Sequence, residues 1–73
     1  MKIRARDGRT YDVSAAPPGG RHEVRLDGKL VGAFVLLEDE TKVEVAAAPA
    51  TDVLIVDVAD RFVAAGGAPM GIA

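Results

Sequence analysis

One uninterrupted apolar segment, residues 30–37, constrains the fold of this chain more than any other feature. It follows an Asp-Gly pair and ends at three consecutive acids, residues 38–40. A half-exposed β-strand alternates apolar and polar residues, whereas a strand that is apolar at every position needs cover on both faces. A domain as small as this 73-residue chain leaves much of its surface exposed on folding. We therefore expect a buried strand whose second face is difficult to cover.

Composition excludes several ways of stabilising so small a domain. The chain has no cysteine and one histidine, which excludes disulfides and argues against a structural zinc site. We predict a single domain over residues 1–73, with no cofactor and no metal. No segment approaches the ~20 apolar residues of a membrane span, and no apolar signal sequence follows the first residues. The expected setting is the cytoplasm, without membrane contact.

An Asp-Gly pair at residues 7–8 predicts a first β-hairpin. A two-residue loop would set the apolar Ile3 opposite Asp12. A three-residue loop over residues 6–8 sets Ile3 opposite Tyr11 instead, so that both side chains can be buried on one face. We therefore predict the three-residue loop, closed by a glycine bulge.

A second Asp-Gly pair, residues 27–28, predicts a hairpin with a tight two-residue loop. With that loop, Leu26 lies opposite Lys29. The next pairs are Val24 with Val31 and His22 with Ala33. On this register, the face of the apolar segment that carries Leu30, Phe34 and Leu36 finds no apolar partner within the hairpin. We predict that these three residues form an interface, covered by a helix, by the first hairpin or by a second copy of the chain.

The remaining segments add a loop, a strand and a helix. Residues 15–20 are rich in proline and glycine and predict a connecting loop. Residues 42–47 alternate, which predicts a strand with Val43, Val45 and Ala47 on one face. Residues 67–73 form a predicted frayed tail.

Residues 51–65 are open to two interpretations. A helix would place Leu54, Val58 and Phe62 on one stripe, with Thr51 as its N-terminal cap and a Gly-Gly pair at its end. The β-branched run at residues 53–56 also fits a strand through Val58 followed by a short helix. With the helix, the chain predicts an α+β fold, an antiparallel meander of about five strands with one C-terminal helix packed on one face.

Charge is divided unequally along the chain. Residues 1–29 carry seven basic and four acidic residues, a net charge of +3, and residues 30–73 carry two basic and seven acidic residues, a net charge of −5. A basic face formed by Lys2, Arg4, Arg6 and Arg25 could contact nucleic acid. The alternative is that the two halves neutralise each other, within one chain or across a dimer.

The residue types that carry chemistry are few and scattered. His22 is the one histidine and Ser14 the one serine, and no motif links them as a base and a nucleophile. We expect His22 to be an exposed or half-buried strand residue. The acids at residues 38–40 lack the alternating ligands and glycine of a calcium loop, and we interpret them as a solvated turn. No catalytic constellation is found, and we predict a protein that is not an enzyme.

Residues 26–36, Leu-Asp-Gly-Lys-Leu-Val-Gly-Ala-Phe-Val-Leu, and residues 43–49, Val-Glu-Val-Ala-Ala-Ala-Pro, resemble the central strands of the GNAT acetyltransferases. In that family, such a strand leads into a helix through an Arg/Gln-x-x-Gly-x-Gly/Ala loop, whose backbone amides hold the pyrophosphate of acetyl-coenzyme A. Residues 50–53 here, Ala-Thr-Asp-Val, contain no arginine and no glycine. The resemblance implies a degenerate acetyltransferase-like domain that binds a small ligand.

Three functions follow from these observations. The leading hypothesis is a small non-enzymatic interaction module that self-associates as a homodimer and binds a protein partner, because an apolar strand needs cover that the chain itself does not readily supply. The alternatives are a nucleic-acid-binding regulator that uses the basic N-terminal strands and the acetyltransferase-like ligand-binding domain.

Overall fold

The computed structural model of the protein describes residues 1–67 of the 73-residue chain. One antiparallel sheet, in which each strand pairs with the next along the chain, carries a helix on one face. This confirms the predicted α+β fold. The elements are β1 (Lys2–Arg4), β2 (Thr10–Val13), β3 (Arg21–Leu26), β4 (Lys29–Leu36), β5 (Thr41–Ala46) and α1 (Asp52–Ala64). Of the predicted frayed tail, residues 67–73, all but Gly67 lie outside the described residues.

The helical interpretation of residues 51–65 is confirmed, and the strand through Val58 is wrong. The Thr51 hydroxyl accepts the Leu54 N–H at 3.2 Å and caps the first turn, as predicted. At the other end, the Gly67 N–H donates to the Phe62 carbonyl at 2.9 Å, which closes the last turn. The helix wins over the strand because its 3.6-residue period buries one apolar stripe: Leu54, Ile55, Val58, Ala59 and Phe62.

The first hairpin has the predicted register. Ile3 lies opposite Tyr11, and the Ala5 N–H donates to the Arg9 carbonyl at 2.9 Å to close the three-residue loop. Gly8 has a φ of 83°, the left-handed conformation that this bulge requires. Turn chemistry and the apolar pairing agree here, so local sequence is sufficient to set the register.

The second hairpin has the predicted turn but not the predicted register. Leu26 lies opposite Lys29, and a β-bulge then shifts the pairing, so that Val24 lies opposite Gly32 and His22 opposite Phe34. The predicted pairs of Val24 with Val31 and of His22 with Ala33 are therefore wrong, as are the faces derived from them. The cause is long-range packing of α1 against β4 at Gly32.

Gly32 lies on the helix side of β4 and allows α1 to approach the sheet closely. A Cβ atom at Gly32 would lie 2.2 Å from Cδ1 of Ile55 and 3.0 Å from the Val45 carbonyl oxygen. Ile55 is fully buried, and it fills the space that a side chain at Gly32 would otherwise need. The bulge turns both Gly32 and Phe34 toward α1, which fixes the register of the second hairpin.

A second irregularity separates two valines of β5. Phe34 lies opposite Val43, whereas its neighbour Ala33 lies opposite Val45, with one extra β5 residue between them. Because opposed residues share a face, Val43 packs against the core while Val45 lies on the other side of the sheet. The prediction that Val43 and Val45 share one face is wrong for this reason.

The core lies between α1 and one face of the sheet. Its largest fully buried apolar side chains are Tyr11, Phe34, Ile55, Val13, Val24 and Val58. Among the described residues, no element of secondary structure covers the opposite face, which we call the helix-free face.

Polar contacts hold α1 against the first hairpin. Oδ2 of Asp57 accepts the Arg6 backbone N–H at 3.0 Å and forms an ion pair with Nε of Arg61, also at 3.0 Å. Arg61 also donates through Nη1 to the Arg4 carbonyl at 3.3 Å. The i,i+4 pair on the helix surface thus also links α1 to the first hairpin.

Candidate interaction surfaces

The helix-free face divides into two halves of different chemistry. On β1 to β3, which we call the polar half, the outward residues are Lys2, Arg4, Thr10, Asp12, Arg21, Glu23 and Arg25. On β4 and β5, which we call the apolar half, they include Leu30, Val35 and Val45 together with Ala33, which its neighbours bury completely, and Lys42 and Glu44 lie along the edge. Only the polar half has the side chains expected of a sheet face in water.

The side chains of the apolar half lie directly beside those of the polar half. Val35 is paired with Arg21, and Leu30 is paired with Arg25. Leu30 is 38% exposed, while Val35 and Val45 are half-buried among their neighbours. The change from charged to apolar residues thus occurs between β3 and β4, across one strand spacing.

The three predicted interface residues do not form one surface. Leu30 lies on the helix-free face, but Phe34 is fully buried on the helix side, where its ring centroid lies 6.0 Å from that of Phe62. Leu36 is half-buried and packs against the core. The bulge after Leu30 reverses the alternation, so the prediction that Leu30 and Phe34 share a face is wrong: α1 of the same chain covers Phe34.

Sequence reasoning missed Val35 and Val45 as surface residues. The signal that could have found them is the length of the apolar segment itself. A strand that is apolar at every position presents apolar side chains on both faces of the sheet in any register. Its outward residues, and the residues beside them on the next strand, are therefore candidates for an interaction surface whichever pairing holds.

Three of the four predicted basic residues share the helix-free face. Lys2, Arg4 and Arg25 lie on its polar half, and Arg6 lies in the first hairpin loop. Acids interrupt the positive charge, because Asp12 lies opposite both Lys2 and Arg25. Arg25 is also ion-paired, its Nη2 lying 3.2 Å from Oε1 of Glu23. The basic face is therefore a mixed surface, to which Arg21, missed by the sequence reasoning, also belongs.

His22 is a core residue, so the expectation of an exposed or half-buried histidine is wrong. Its ring is 1% exposed and lies between Phe34 and Phe62, with ring centroids at 5.1 Å and 4.9 Å. Nδ1 lies 2.9 Å from the Ser14 carbonyl oxygen, which can only accept, so Nδ1 is the donor. Nε2 has no hydrogen-bond partner among the described residues. The Ser14 hydroxyl accepts the Glu23 N–H at 2.8 Å, so these residues join β2 to β3 and do not form a base–nucleophile pair.

Asp7 and Tyr11 form a polar cluster at the first hairpin loop. The Tyr11 hydroxyl donates to Asp7 Oδ2 at 2.6 Å, and the Arg9 N–H donates to Oδ1 at 2.9 Å. These bonds, that of Tyr11 foremost, hold the pKa of Asp7 below its ordinary 3.8. Burial of the ring, followed by the bond to Asp7, raises the pKa of Tyr11 above its ordinary 10.0. The cluster fixes the loop to the core.

A groove runs between the β4–β5 turn and the exposed side of α1. Its volume is about 500 Å³, and we call it the acidic groove. Its apolar residues are Leu36, Leu37, Val56 and Val63, and its polar residues are Glu38, Asp39, Glu40, Thr41 and Asp60. The acidic triplet of the sequence, interpreted as a solvated turn, thus lies on the rim of an apolar groove. Sequence reasoning missed the groove because its two sides are distant along the chain.

The start of α1 bears on the acetyltransferase resemblance. A hollow of about 430 Å³ lies there, lined in part by Arg6, Arg9 and Thr51. In the acetyltransferases that residues 26–36 and 43–49 resemble, a glycine-containing loop before the helix presents backbone amides to a pyrophosphate. Here the Leu54 N–H donates to the Thr51 hydroxyl and is not free to bind a ligand. Asp52 adds a negative charge to the first turn. A carboxylate at this position opposes binding of a phosphate.

Comparison of the chain with protein-family models, curated proteins and solved structures finds no match. Over residues 1–67, the helix is too short to cross a bilayer. Within the same range, no group of three or more His, Asp or Glu side chains is arranged to hold a metal ion. The features that bear on function are therefore the two halves of the helix-free face and the acidic groove.

Proposed function

We propose that this protein is a non-enzymatic interaction module that pairs with a second copy of itself through the apolar half of its helix-free face, and that it also binds a protein partner. The observation that carries the proposal is the row of outward apolar side chains on β4 and β5, of which Leu30, Val35 and Val45 are the largest. We further propose a cytoplasmic setting, where small domains do without disulfides.

The outward residues of the polar half can be compared directly with those of the apolar half, because both lie on the same face of one sheet. An antiparallel sheet with one solvated face normally carries polar residues on that face, and β1 to β3 follow the rule. On β4 and β5 the outward residues Val35 and Val45 are half-buried, and they become fully buried only if another layer covers them. Burying a Val or Leu side chain contributes roughly 1.5–3 kcal/mol. A twofold interface uses each of these side chains twice, once in each copy.

Charges at the edge of the apolar half suit the same arrangement. Lys42 and Glu44 both project from β5 beside the apolar side chains, and their charged groups lie 4.0 Å apart. In a twofold pairing each can lie near its opposite in the second copy. Contacts of this kind select register and partner more than they add affinity.

Nucleic-acid binding is the second candidate, because Lys2, Arg4, Arg21 and Arg25 share the polar half. The acids among them weaken the potential that a phosphate backbone would meet. This candidate predicts an affinity that falls steeply with salt. Absence of any oligonucleotide binding at low salt would eliminate it. The acetyltransferase-like candidate is opposed by the chemistry of Asp52 at the start of α1.

The test of self-association is the mass of the protein in solution. We expect light scattering at micromolar concentration to give the mass of two chains for the wild type and of one chain for Val35→Lys, because a lysine at the centre of the apolar half would be buried without a partner. Thr10→Lys is the matched control, since it adds the same charge on the polar half and should leave the dimer intact.

The proposed dimer has two contrary outcomes. A monomeric wild type across the micromolar range would refute it. A Val35→Lys variant that keeps native circular dichroism and remains dimeric would show that the second copy binds elsewhere.

A further inference from the structure

We infer that the acidic groove is the docking site for a basic, aliphatic segment of a protein partner, one in which lysine or arginine residues flank leucine, isoleucine or valine. The inference rests on the partner-binding part of the proposed function and is independent of self-association. The groove lies between α1 and the β4–β5 turn, and none of the three residues that carry the dimer proposal lines it.

Exposed apolar side chains concentrate in this groove. Among residues 1–67, six large apolar side chains are exposed: Met1, Leu30, Leu37, Val53, Val56 and Val63. Three of the six line the acidic groove, with exposed fractions of 44% for Leu37, 37% for Val56 and 42% for Val63. Single exposed apolar residues are ordinary, but a cluster with a polar rim is typical of a binding surface.

The helix contributes a second apolar stripe to the groove. Its core stripe includes Leu54 and Phe62, which are buried against the sheet. Val56, Asp60 and Val63 follow one another at spacings of four and three residues, so they form a neighbouring stripe beside the β4–β5 turn. A helix that packs on a sheet by one side needs polar residues on the other sides. The two valines therefore lie outside the stripe that packs on the sheet and stay partly exposed in the groove.

Charge decides the chemistry of the occupant. Four acids line the groove, Glu38, Asp39, Glu40 and Asp60, and no lysine, arginine or histidine among the described residues does so. The Leu37 N–H donates to the Glu40 carbonyl at 2.8 Å, which closes the turn and holds the acids along one side of the apolar residues. Basic residues on either side of an aliphatic anchor would meet this rim while the anchor contacts Val56 and Val63.

The volume of the acidic groove is suited to a short peptide segment. About 500 Å³ lies within the ~300–1,000 Å³ range of ligand sites and accommodates a few side chains of a peptide. The groove opens to solvent, as binding of a segment of another chain requires.

The experiment measures binding of two labelled peptides by fluorescence anisotropy. One peptide alternates lysine with leucine, and the other alternates glutamate with leucine at the same length. We expect the lysine peptide to bind and the glutamate peptide not to bind. We also expect the affinity for the lysine peptide to fall as salt is raised, because the acids of the rim are exposed and easily screened.

Two pairs of variants localise the binding. Val63→Lys should weaken it about tenfold or more, whereas Val53→Lys, on the same helix but outside the groove, should change it by less than about twofold. Asp60→Asn should reduce the salt dependence, and Asp52→Asn, an acid outside the groove, should not. The asparagine variants remove no apolar contact, so they test the site even if Val63→Lys perturbs α1.

Each outcome bears on the inference in a defined way. Equal weakening by Val63→Lys and Val53→Lys would overturn it, since binding would then follow net charge alone. Dissociation of the wild-type dimer by Val63→Lys would assign the groove to a second copy and would also overturn it. If Val35→Lys is monomeric and still binds the lysine peptide, the groove and the dimer surface are separate. Failure of the dimer with retained peptide binding would leave this inference standing.

Discussion

The two halves of the helix-free face stand side by side in one sheet, yet they have opposite chemistry. On β3 the outward residues Arg21, Glu23 and Arg25 are all charged, and their partners on β4 are Val35, Ala33 and Leu30. Both halves lack a covering helix among the described residues. The two halves therefore differ in their side chains, which suit contact with water on the polar half and contact with a partner on the apolar half.

The difference shows that the core constrains the sequence of β2 and β3 differently from that of β4. The inner residues of β2 and β3 alternate with charged residues in the usual way. On β4, Gly32 and Phe34 face α1 and Val31 also belongs to the core, whereas Val35 on the helix-free face does not. The core does not explain why Val35 is apolar, whereas a second layer on the helix-free face does.

The largest expected effect contrasts the two faces of β4. Phe34→Ala removes a fully buried ring and should lower the free energy of unfolding by about 3–5 kcal/mol, enough to unfold so small a domain. Val35→Ala, one residue away on the helix-free face, should cost less than about 1.5 kcal/mol at concentrations where the protein is monomeric. Urea unfolding followed by circular dichroism compares them. Similar losses for both would mean that the two faces are equally buried within one chain.

A smaller effect is expected where α1 meets the sheet. Gly32→Ala places a methyl group against Cδ1 of Ile55 and should destabilise the fold by about 1–3 kcal/mol. Ile55→Val removes Cδ1, the nearest of the atoms that the new methyl group would meet. The double variant should therefore be more stable than the two single losses predict, which a double-mutant cycle measures. Additive losses would show that Ile55 does not set the spacing between helix and sheet.

The smallest expected effect is an ionisation change next to the polar half. Tyr11 is the one tyrosine, so phenolate absorbance reports its titration alone, and we expect its pKa to lie above 10.0. Because the pKa is raised in the folded state, the stabilising contribution of the neutral phenol is complete below the unfolded pKa and is lost as pH rises through the folded pKa. Asp7→Asn should lower the pKa of Tyr11 toward its ordinary value, while Asp12→Asn should not. Identical titrations of all three proteins would contradict the Asp7–Tyr11 bond.

The same comparison marks how far the sequence could predict this molecule. The first hairpin was predictable because Asp7-Gly8 and the match of Ile3 with Tyr11 are local. Only the turn of the second hairpin was predictable. Its register depends on a bulge, which arises because Ile55, a residue distant in sequence, packs over Gly32. His22 was expected to be exposed or half-buried, and it is buried because its ring packs between Phe34 of β4 and Phe62 of α1, residues that are distant in sequence.

The candidate surfaces were less predictable than the fold. An apolar strand in need of cover was evident from residues 30–37, but which side chains face outward depends on a bulge. Leu30 was therefore identified and Val35 and Val45 were not. The acidic groove was beyond sequence reasoning, since Glu38 and Val63 meet only through the docking of α1, although the acids and the extra helical valines were both visible.

The most direct test of the central claim asks which half of the helix-free face a second copy covers. The chain has no cysteine, so a thiol introduced by Leu30→Cys or Thr10→Cys reports one half alone. We expect the rate of modification by a thiol reagent to fall for Leu30→Cys as protein concentration rises and to stay constant for Thr10→Cys. Rates that are independent of concentration for both, or a fall for Thr10→Cys alone, would contradict self-association through the apolar half.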